Sequence, residues 1–491
     1  MCIVVLHWSL TATSLTVGAP QAPEATHGYQ GASEPTTAPE VYGQDIRSTR
    51  WRSPVDELSG FHLPIGFVAE LVASEPDIAK PLNMKFDHRG RLWVTCTLEY
   101  PHPVASGAVG RDSIKILEDT SGDGNFDSVK TFAEGLNIPI GLLPVGDGAL
   151  CFSIPNIWHL RDIDGDDRAD EQLKLLGPFD TTRDTHGMIN SLRMGSDGWV
   201  YACHGFANRS EVSAGDGSRV EMNSGNTFRF LPDGSRIELF THGQVNPFGM
   251  TRDEWGNWYT ADCHSKPLTA LLAGACYPSF SRPHDGLGFA PSMMEHLHGS
   301  TAISGVEYYQ AQQFPDAYRQ LFYSGNVMTR RINCNRPVRS GMTVRAEELP
   351  DFLTSDDPWF RPVDLQVGPD GCLYIADFYN GIIGHYEVPL DHPERDRRSG
   401  RIWRVRYVGN RFEEIKSENI KESWNGLDSK NVYLRRQAVD AELIAQSQSD
   451  QQLKALAQSY SEPIELRLSS IEILNRRKQL SESLLQALLS N

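Results

Sequence analysis

Basic residues are scarce in this chain: 46 Lys and Arg stand against 63 Asp and Glu, a net charge of -17 over 491 residues. The deficit excludes nucleic acid and anionic membrane as partners of a main working face, because phosphate recognition draws on clustered Lys and Arg. Small neutral or cationic ligands are the expectation. The eight cysteines include no CxxC and no CxxCH, which excludes covalent haem in this chain and the usual zinc spacings. Cys96, Cys151, Cys203 and Cys372 fall in apolar runs and read as core, while Cys263 and Cys276 are close enough in sequence to suggest a disulfide in an exported protein. Long apolar runs are missing as well, so no transmembrane helix is expected; a spanning helix takes about 20 apolar residues. The opening MCIVVLHWSLTATSLTVGAPQA has the apolar run and small residues of a signal peptide over 1–25, without the Lys or Arg that precedes such a run. Periplasmic or extracellular location is the expectation. Residues 26–60, rich in Pro, Ala, Thr and Ser, read as a solvated linker.

Turn residues are plentiful. The 42 glycines and 29 prolines suit many short strands rather than long helices. Six turn-then-strand units follow one another: HRGRLWVTCT, GDGALCFSIP, SDGWVYACHG, EWGNWYTADCH, AYRQLFYSGNV and PDGCLYIADFY. Their period, roughly fifty to sixty residues, is that of propeller blades. An all-β, six-bladed β-propeller over 61–408 is predicted. In the third blade the strands read MINSLRMG, WVYACHG, GNTFRFLP and SRIELFTH. The sixth unit is followed by a single further strand, GRIWRVRY, and GFVAELVAS at 66–74 has no blade of its own. The early segment is therefore expected to complete the last blade and close the ring, removing the open sheet edges. A long insertion, LTALLAGACYPSFSRPHDGLGFAPSMMEH, interrupts blade four. Residues 409–491 change to helical periodicity, a C-terminal HEAT-like α-helical tail.

Two loops have the spacing of calcium ligands. DTSGDGNFD offers Asp119, Ser121, Asp123 and Asp127 with the Asn125 carbonyl, and DIDGDDRAD offers Asp162, Asp164, Asp166 and Asp170 with the Arg168 carbonyl. Oxygen donors at positions one, three, five, seven and nine suit calcium, and plain acidic hairpin turns are the alternative. Both loops are expected on the face away from the strand entrances. The opposite face gathers Glu99, His186, His204, Asn246, His264, Lys266, Arg330, Arg361 and Asp377, the convergence expected of a ligand site at a ring mouth. His186 directly precedes an apolar strand, with Asp184 close enough to orient it; a neutral imidazole there takes a proton from a substrate hydroxyl. A histidine that only caps its strand is the alternative.

These motifs, together with GQVNPFGMTRDEWGNWYTADCH, FRPVDLQVGPDGCLYIADFY and SGRIWRVRY, resemble the soluble quinoprotein glucose/sorbosone dehydrogenases. They are most similar to the membrane-bound-dehydrogenase propellers of planctomycetes, in which HEAT repeats and a c-type haem domain often follow. The resemblance covers roughly residues 60–408. It implies a six-bladed propeller using PQQ and calcium, oxidising a sugar or other alcohol, with His186 as catalytic base and Asp184 as its orienter. It also implies a cofactor site drawing on Asn246, His264, Arg361 and Asp377. The family's arginine before that asparagine falls on Val245, which leaves Lys266, Arg330 and Arg361 to supply positive charge for a polycarboxylate quinone. Without CxxCH, a separate cytochrome is the expected electron acceptor. A non-catalytic, calcium-stabilised propeller that binds carbohydrate or a protein partner is the second reading, and a lactonase-like hydrolase the third.

Overall fold

A computed structural model gives the fold. It describes residues 49–490 apart from 106, 280–289, 301, 342, 383–387, 389–391, 393 and 410–425. The expected signal peptide, most of the linker and the centre of the blade-four insertion lie outside the described residues.

The chain forms a six-bladed β-propeller. Blade one takes strands Pro81–Phe86, Leu92–Cys96, Asp112–Glu118 and Ser128–Leu136; blade two takes Leu142–Val145, Gly148–Ser153, Asn156–Arg161 and Glu171–Leu176. Blade three takes Asn190–Met194, Val200–His204, Asn226–Phe230 and Ile237–His242. The four strands expected there form in that order, with an unforeseen hairpin, Arg209–Ser213 with Arg219–Asn223, between the second and third. Blade four has three strands among the described residues, Pro247–Arg252, Trp258–Asp262 and Leu268–Leu271. Blade five runs Ile303–Tyr308, Phe322–Asn326, Arg331–Ser340 and Thr343–Ser355. Blade six runs Pro362–Val367, Leu373–Asp377 and Arg401–Tyr407, and its outer strand is Phe67–Ser74, paired antiparallel with Arg401–Tyr407. The predicted closure is the observed one.

Burial explains the pattern of the strands. Inner strands are pressed between neighbouring blades on both faces, and Leu92–Cys96, Val200–His204 and Leu373–Asp377 are buried at every position. Outer strands face solvent and alternate or turn polar, as in Ser128–Leu136. The inner strands also bond across blades. Met84 N donates to Asp364 Oδ2 (2.9 Å), Gly141 N to Asn83 Oδ1 (2.7 Å), Gly249 N to Ser191 Oγ (2.8 Å) and Tyr308 N to Thr251 Oγ1 (3.2 Å). Near the axis they approach so closely that a Cβ on Gly249 would lie 2.7 Å from Gly305 Cα, and one on Gly305 2.8 Å from Asp364 Cα. First strands begin at one end of the ring, the mouth, and first and second strands turn at the other, the far face.

A short device recurs at those far-face turns. Asp87, Asp197, Asp253 and Asp370 each accept a turn N–H, and each accepts a second bond from an aromatic of the next strand. The aromatics are Trp93 (2.8 Å), Tyr201 (2.8 Å), Tyr259 (2.9 Å) and Tyr374 (3.1 Å). A glycine in the left-handed region completes each turn, for example Gly198 at φ 81° and Gly371 at φ 76°.

Residues read from composition as the end of a linker are ordered. Helix α1 (Pro54–Leu58), N-capped by Ser53, leads into Phe61–His62, which adds a fifth strand to blade five. Glu57 of α1 pairs with the fully buried Arg401, which also meets Glu75 (3.1 Å) and lies 3.6 Å from the Tyr379 ring centroid. Burial and the nearby Asp377 raise the Glu57 pKa.

The tail is helical: α2 (Val432–Ala445), α3 (Asp450–Gln458), α4 (Ile464–Arg476) and α5 (Glu482–Leu489). Asn431, Ser449 and Ser481 cap three of them. The helices share a core of Val439, Leu453, Leu456, Leu466, Ile473 and Leu474. The tail packs on the far face: Tyr433 donates to Asp87 O, Asn431 Nδ2 to Gly368 O (3.2 Å) and Asn475 Nδ2 to Ser196 O (3.3 Å). Among the described residues no helix is long and apolar enough to cross a membrane. Cys263 and Cys276 are free thiols, so the suggested disulfide is not formed.

Candidate functional site at the propeller mouth

The segment before the first strand of blade three turns back over the mouth because its own polar groups hold it there. Asp184 Oδ2 accepts the N–H groups of His186 (3.2 Å) and Gly187 (2.8 Å), and Asp184 Oδ1 meets His186 Nδ1 at 2.9 Å. Asn208 clamps the aspartate backbone from both sides, accepting from Asp184 N (3.1 Å) and donating to Asp184 O (2.7 Å). Thr185 Oγ1 donates to Pro101 O (2.5 Å), tying the loop to blade one. His186 is 8% exposed. It is thus a fixed imidazole whose Nδ1 faces a carboxylate.

Blade one brings Tyr100, whose ring lies edge-on to His186 at 5.4 Å, and His102. Burial lowers the His102 pKa, and Arg395, Arg397 and His186 lower it further through their charge. The two arginines come from the segment joining the second and third strands of blade six. Arg395 Nη2 donates to Val388 O (2.6 Å), Arg397 Nη1 donates to Leu98 O (2.6 Å), and Arg397 lies 3.7 Å from Glu99. Glu99 in turn is bound by Arg111 at 2.7 and 3.1 Å, which holds its carboxyl below the usual range. On the blade-four side, burial lowers the His264 pKa against the opposing pull of Asp262 and Asp184. Phe206 lies 5.4 Å from the His264 ring.

The remaining expected residues are distributed as follows. Asn246 is beside the dyad: a Cβ on Gly187 would meet its Oδ1 at 2.3 Å, and it accepts from Phe206 N (3.2 Å) and donates to Cys263 Sγ (3.0 Å). Asp377 is buried, accepting from Arg361 N (2.8 Å) and Tyr379 N (2.9 Å). The Arg361 guanidinium donates to Val327 O (3.3 Å) and Phe360 O (2.9 Å). Lys266 donates to Glu295 O (3.1 Å) at the surface. Arg330 takes a left-handed turn at φ 60°. His204 is committed, with Nδ1 on Ser224 O (2.8 Å) and Nε2 on Ser210 Oγ (2.8 Å), and burial lowers its pKa to about 4. That leaves it no nitrogen for a metal.

The two acidic loops join third and fourth strands of blades one and two. Asp119 accepts from Gly122 N (2.7 Å) and Gly124 N (2.8 Å), while Asp127 accepts from Thr120 N (3.0 Å) and Ser121 N (3.1 Å). Asp123 accepts from Asn125 N (2.8 Å). In the second loop Asp162 accepts from Gly165 N (2.7 Å), Asp166 from Arg168 N (2.9 Å) and Asp170 from Ile163 N (2.7 Å). Carboxylate oxygens of Asp162, Asp164 and Asp166 lie within 4.8 Å of one another. Asp167, in the left-handed region at φ 67°, pairs with Arg91 (2.5 Å) and with Lys130, joining blades one and two.

The family described as the domain of unknown function DUF7133 matches residues 53–409. The chain belongs to the DUF7133 family. Its match begins at the N-cap of α1 and ends just past the last strand of blade six, so the matched domain includes α1 and Phe61–His62 and excludes the helical tail. No curated protein matches the DUF7133 chain. Among solved structures it is similar to an oxidoreductase (glucose dehydrogenase) from Thermus thermophilus, at 15% identity over 69% of this chain and 100% of that one, TM-score 0.46. The PQQ domain of pyranose dehydrogenase from Coprinopsis cinerea, in holo form, is 13% identical over 70% and 97%, TM-score 0.47. The PQQ-bound aldose sugar dehydrogenase from Streptomyces coelicolor is 15% identical over 70% and 99%, TM-score 0.42. Likeness this distant does not extend to residue roles in a DUF7133 protein.

Tyr100, His102, Arg395 and Arg397 were not singled out from sequence. Nothing local marks them: Arg397 reaches the backbone of Leu98 across 299 positions, a contact that exists only because the ring closes.

Proposed function

We propose that the mouth oxidises a sugar or other alcohol by hydride transfer, with His186 as general base and PQQ as cofactor. The observation that carries this reading is the bond between His186 Nδ1 and Asp184 Oδ1 at 2.9 Å. A carboxylate on Nδ1 keeps the proton there, so Nε2 is the nitrogen that takes the substrate hydroxyl proton. Asp184 then stabilises the imidazolium as it forms, and Asn208 keeps the aspartate still while it does so. PQQ, when bound, supplies the two-electron acceptor, and a separate cytochrome would receive its electrons.

The donor set suits a polycarboxylate. Val245, 2% exposed, cannot serve where the family has arginine, but Arg395 and Arg397 bring positive charge to His102, in the segment whose Tyr100 lies against His186. These two are the cations assigned to the cofactor, in place of Lys266 and Arg330; Asn246 and His264 border the same space. Calcium is assigned to the loop of Asp162, Asp164 and Asp166, remote from the chemistry and structural in role.

Reconstitution with PQQ and calcium, followed by dye reduction over a panel of aldoses, tests the reading. Turnover is expected, with His186→Ala abolishing it while the chain still folds and melts cooperatively. The buried Val245 favours the second reading, a propeller that binds carbohydrate without turning it over. Glycan binding with neither a quinone spectrum nor dye reduction would establish that reading instead.

A further inference from the structure

The far face holds a chamber whose lining shares no residue with the mouth site. It is a cavity of about 500 Å³ between the ends of the inner strands and α2. Lys85, Arg193, Arg252, Glu307 and Gln366 line it from the propeller, and Arg436 lines it from α2.

The charges in this chamber do not balance. Arg193 is served by Glu307 (3.6 Å), Gln366 Oε1 (2.7 Å) and Met250 O (2.7 Å), and Arg252 lies 3.5 Å from Glu472. Of the other acids around the chamber, Asp87 is bound by Arg91 and Trp93, Asp440 by Arg476 (2.6 Å), and Asp364 accepts from Met84 N, Leu365 N and Gln366 Nε2. Lys85 and Arg436 make no direct hydrogen bond or ion pair among the described residues, and Glu307, already engaged by Arg193, is the acid nearest to serving both. Lys85 is 7% exposed, and the Arg436 Nε is buried without a hydrogen-bond acceptor. Cations without acceptors are costly to bury. The surroundings show that cost: burial and neighbouring positive charge push Lys85 down to about 7 and Arg436 down to about 9.

We propose that this chamber binds a small organic anion carrying at least two negative charges, held through carboxylate or phosphate oxygens between Lys85 of the propeller and Arg436 of α2. An ammonium and a guanidinium on opposite walls suit two separate anionic groups, and guanidinium takes such oxygens in pairs. The volume is in the range of small-molecule sites, about 300–1,000 Å³. Since one cation belongs to the ring and the other to the tail, the ligand also fastens the tail to the ring. The chamber is independent of the chemistry assigned to the mouth.

Calorimetry and thermal melts of the intact chain with sodium phosphate or citrate, at ionic strength fixed with sodium chloride, test the proposal. One equivalent of at least one of the two anions is expected to bind and raise the melt by several degrees. Hydrogen exchange in residues 432–445 is expected to slow on binding. Lys85→Met and Arg436→Met should each weaken binding at least tenfold while leaving the ligand-free melt as high or higher, because each removes an uncompensated buried charge. Tighter binding of phosphate would point to a phosphorylated ligand, and tighter binding of citrate to a polycarboxylate. Binding no stronger than that of chloride, binding that survives both substitutions, or a lower ligand-free melt in Lys85→Met would overturn the proposal. If Arg436→Met does not fold, the Lys85→Met result decides alone.

Discussion

Asp184 makes three bonds with two oxygens: two fix its own loop through the N–H groups of His186 and Gly187, and one orients the His186 ring. Asp184→Asn keeps the shape but offers an amide where a carboxylate met Nδ1. On the proposed function, turnover should fall by about 10²–10⁴-fold with little change in KM, as for a general base deprived of its orienting charge; steady-state dye reduction measures it. Lys85 gives a prediction with a defined sign. Its ammonium faces Arg193 and Arg436, which oppose its charge, and Glu307 and Asp364, which favour it, and burial brings its pKa to about 7, against about 10.4 in an unfolded chain. Between those values the unfolded chain holds a proton that the folded one has released, so this group makes stability rise with pH from about 7 to about 10. Below pH 7 both states are protonated and the full penalty applies. The stabilisation gained by Lys85→Met should therefore be largest at pH 6 and shrink steadily by pH 9, in urea melts at the two pH values.

At the scale of elements, the far-face turns explain why the repeat could be read at all. An aspartate, a left-handed glycine and an aromatic four or six residues after the aspartate form one bonded unit, seen at Asp87 with Trp93 and at Asp197 with Tyr201. Those residues stay legible where the strands between them vary. Asp253 is the most heavily used, serving Trp255 N, Asn257 N, Asn257 Nδ2, Tyr259 OH and Arg339. Asp253→Ala should cost about 2–4 kcal/mol by stranding several buried donors, whereas Asp233→Ala in the exposed turn of blade three should cost under about 1 kcal/mol; chemical denaturation compares the two. The calcium proposed for the loop of Asp162, Asp164 and Asp166 is checked by chelation: EDTA should lower the melt of the natural chain and leave that of Asp162→Ala unmoved. The hairpin of blade three was readable but passed over, since Arg209–Ser213 and Arg219–Asn223 alternate exposed and buried around Asp216 and Gly217. The arginines of the mouth were not readable. Arg395 and Arg397 lie in a segment without strand or helix pattern, and their position depends on contacts across the whole ring.

For the whole molecule, closure was legible because Phe67–Ser74 is a strand with no blade, and a sheet edge left open is a liability. What composition could not show is the clasp before it. Helix α1 and Phe61–His62 attach to blade five while the next strand completes blade six, and Glu57 reaches the buried Arg401 beneath both. A chain shortened through Ser74 should lose its single cooperative melt and self-associate, followed by circular dichroism and size-exclusion chromatography. A chain shortened only through Pro64 should keep the ring and melt earlier. The tail is the other global feature, and its faces carry the anion chamber, so the order of the ring and that of the helices are linked through one ligand.

The outer strand of blade six, Phe67–Ser74, lies far ahead in the chain of its partner Arg401–Tyr407. During synthesis the ring therefore stays open until Arg401–Tyr407 has emerged, and for all that time Phe67–Ser74 is a strand waiting for its neighbour, the interval in which a chaperone or a second nascent chain would find it.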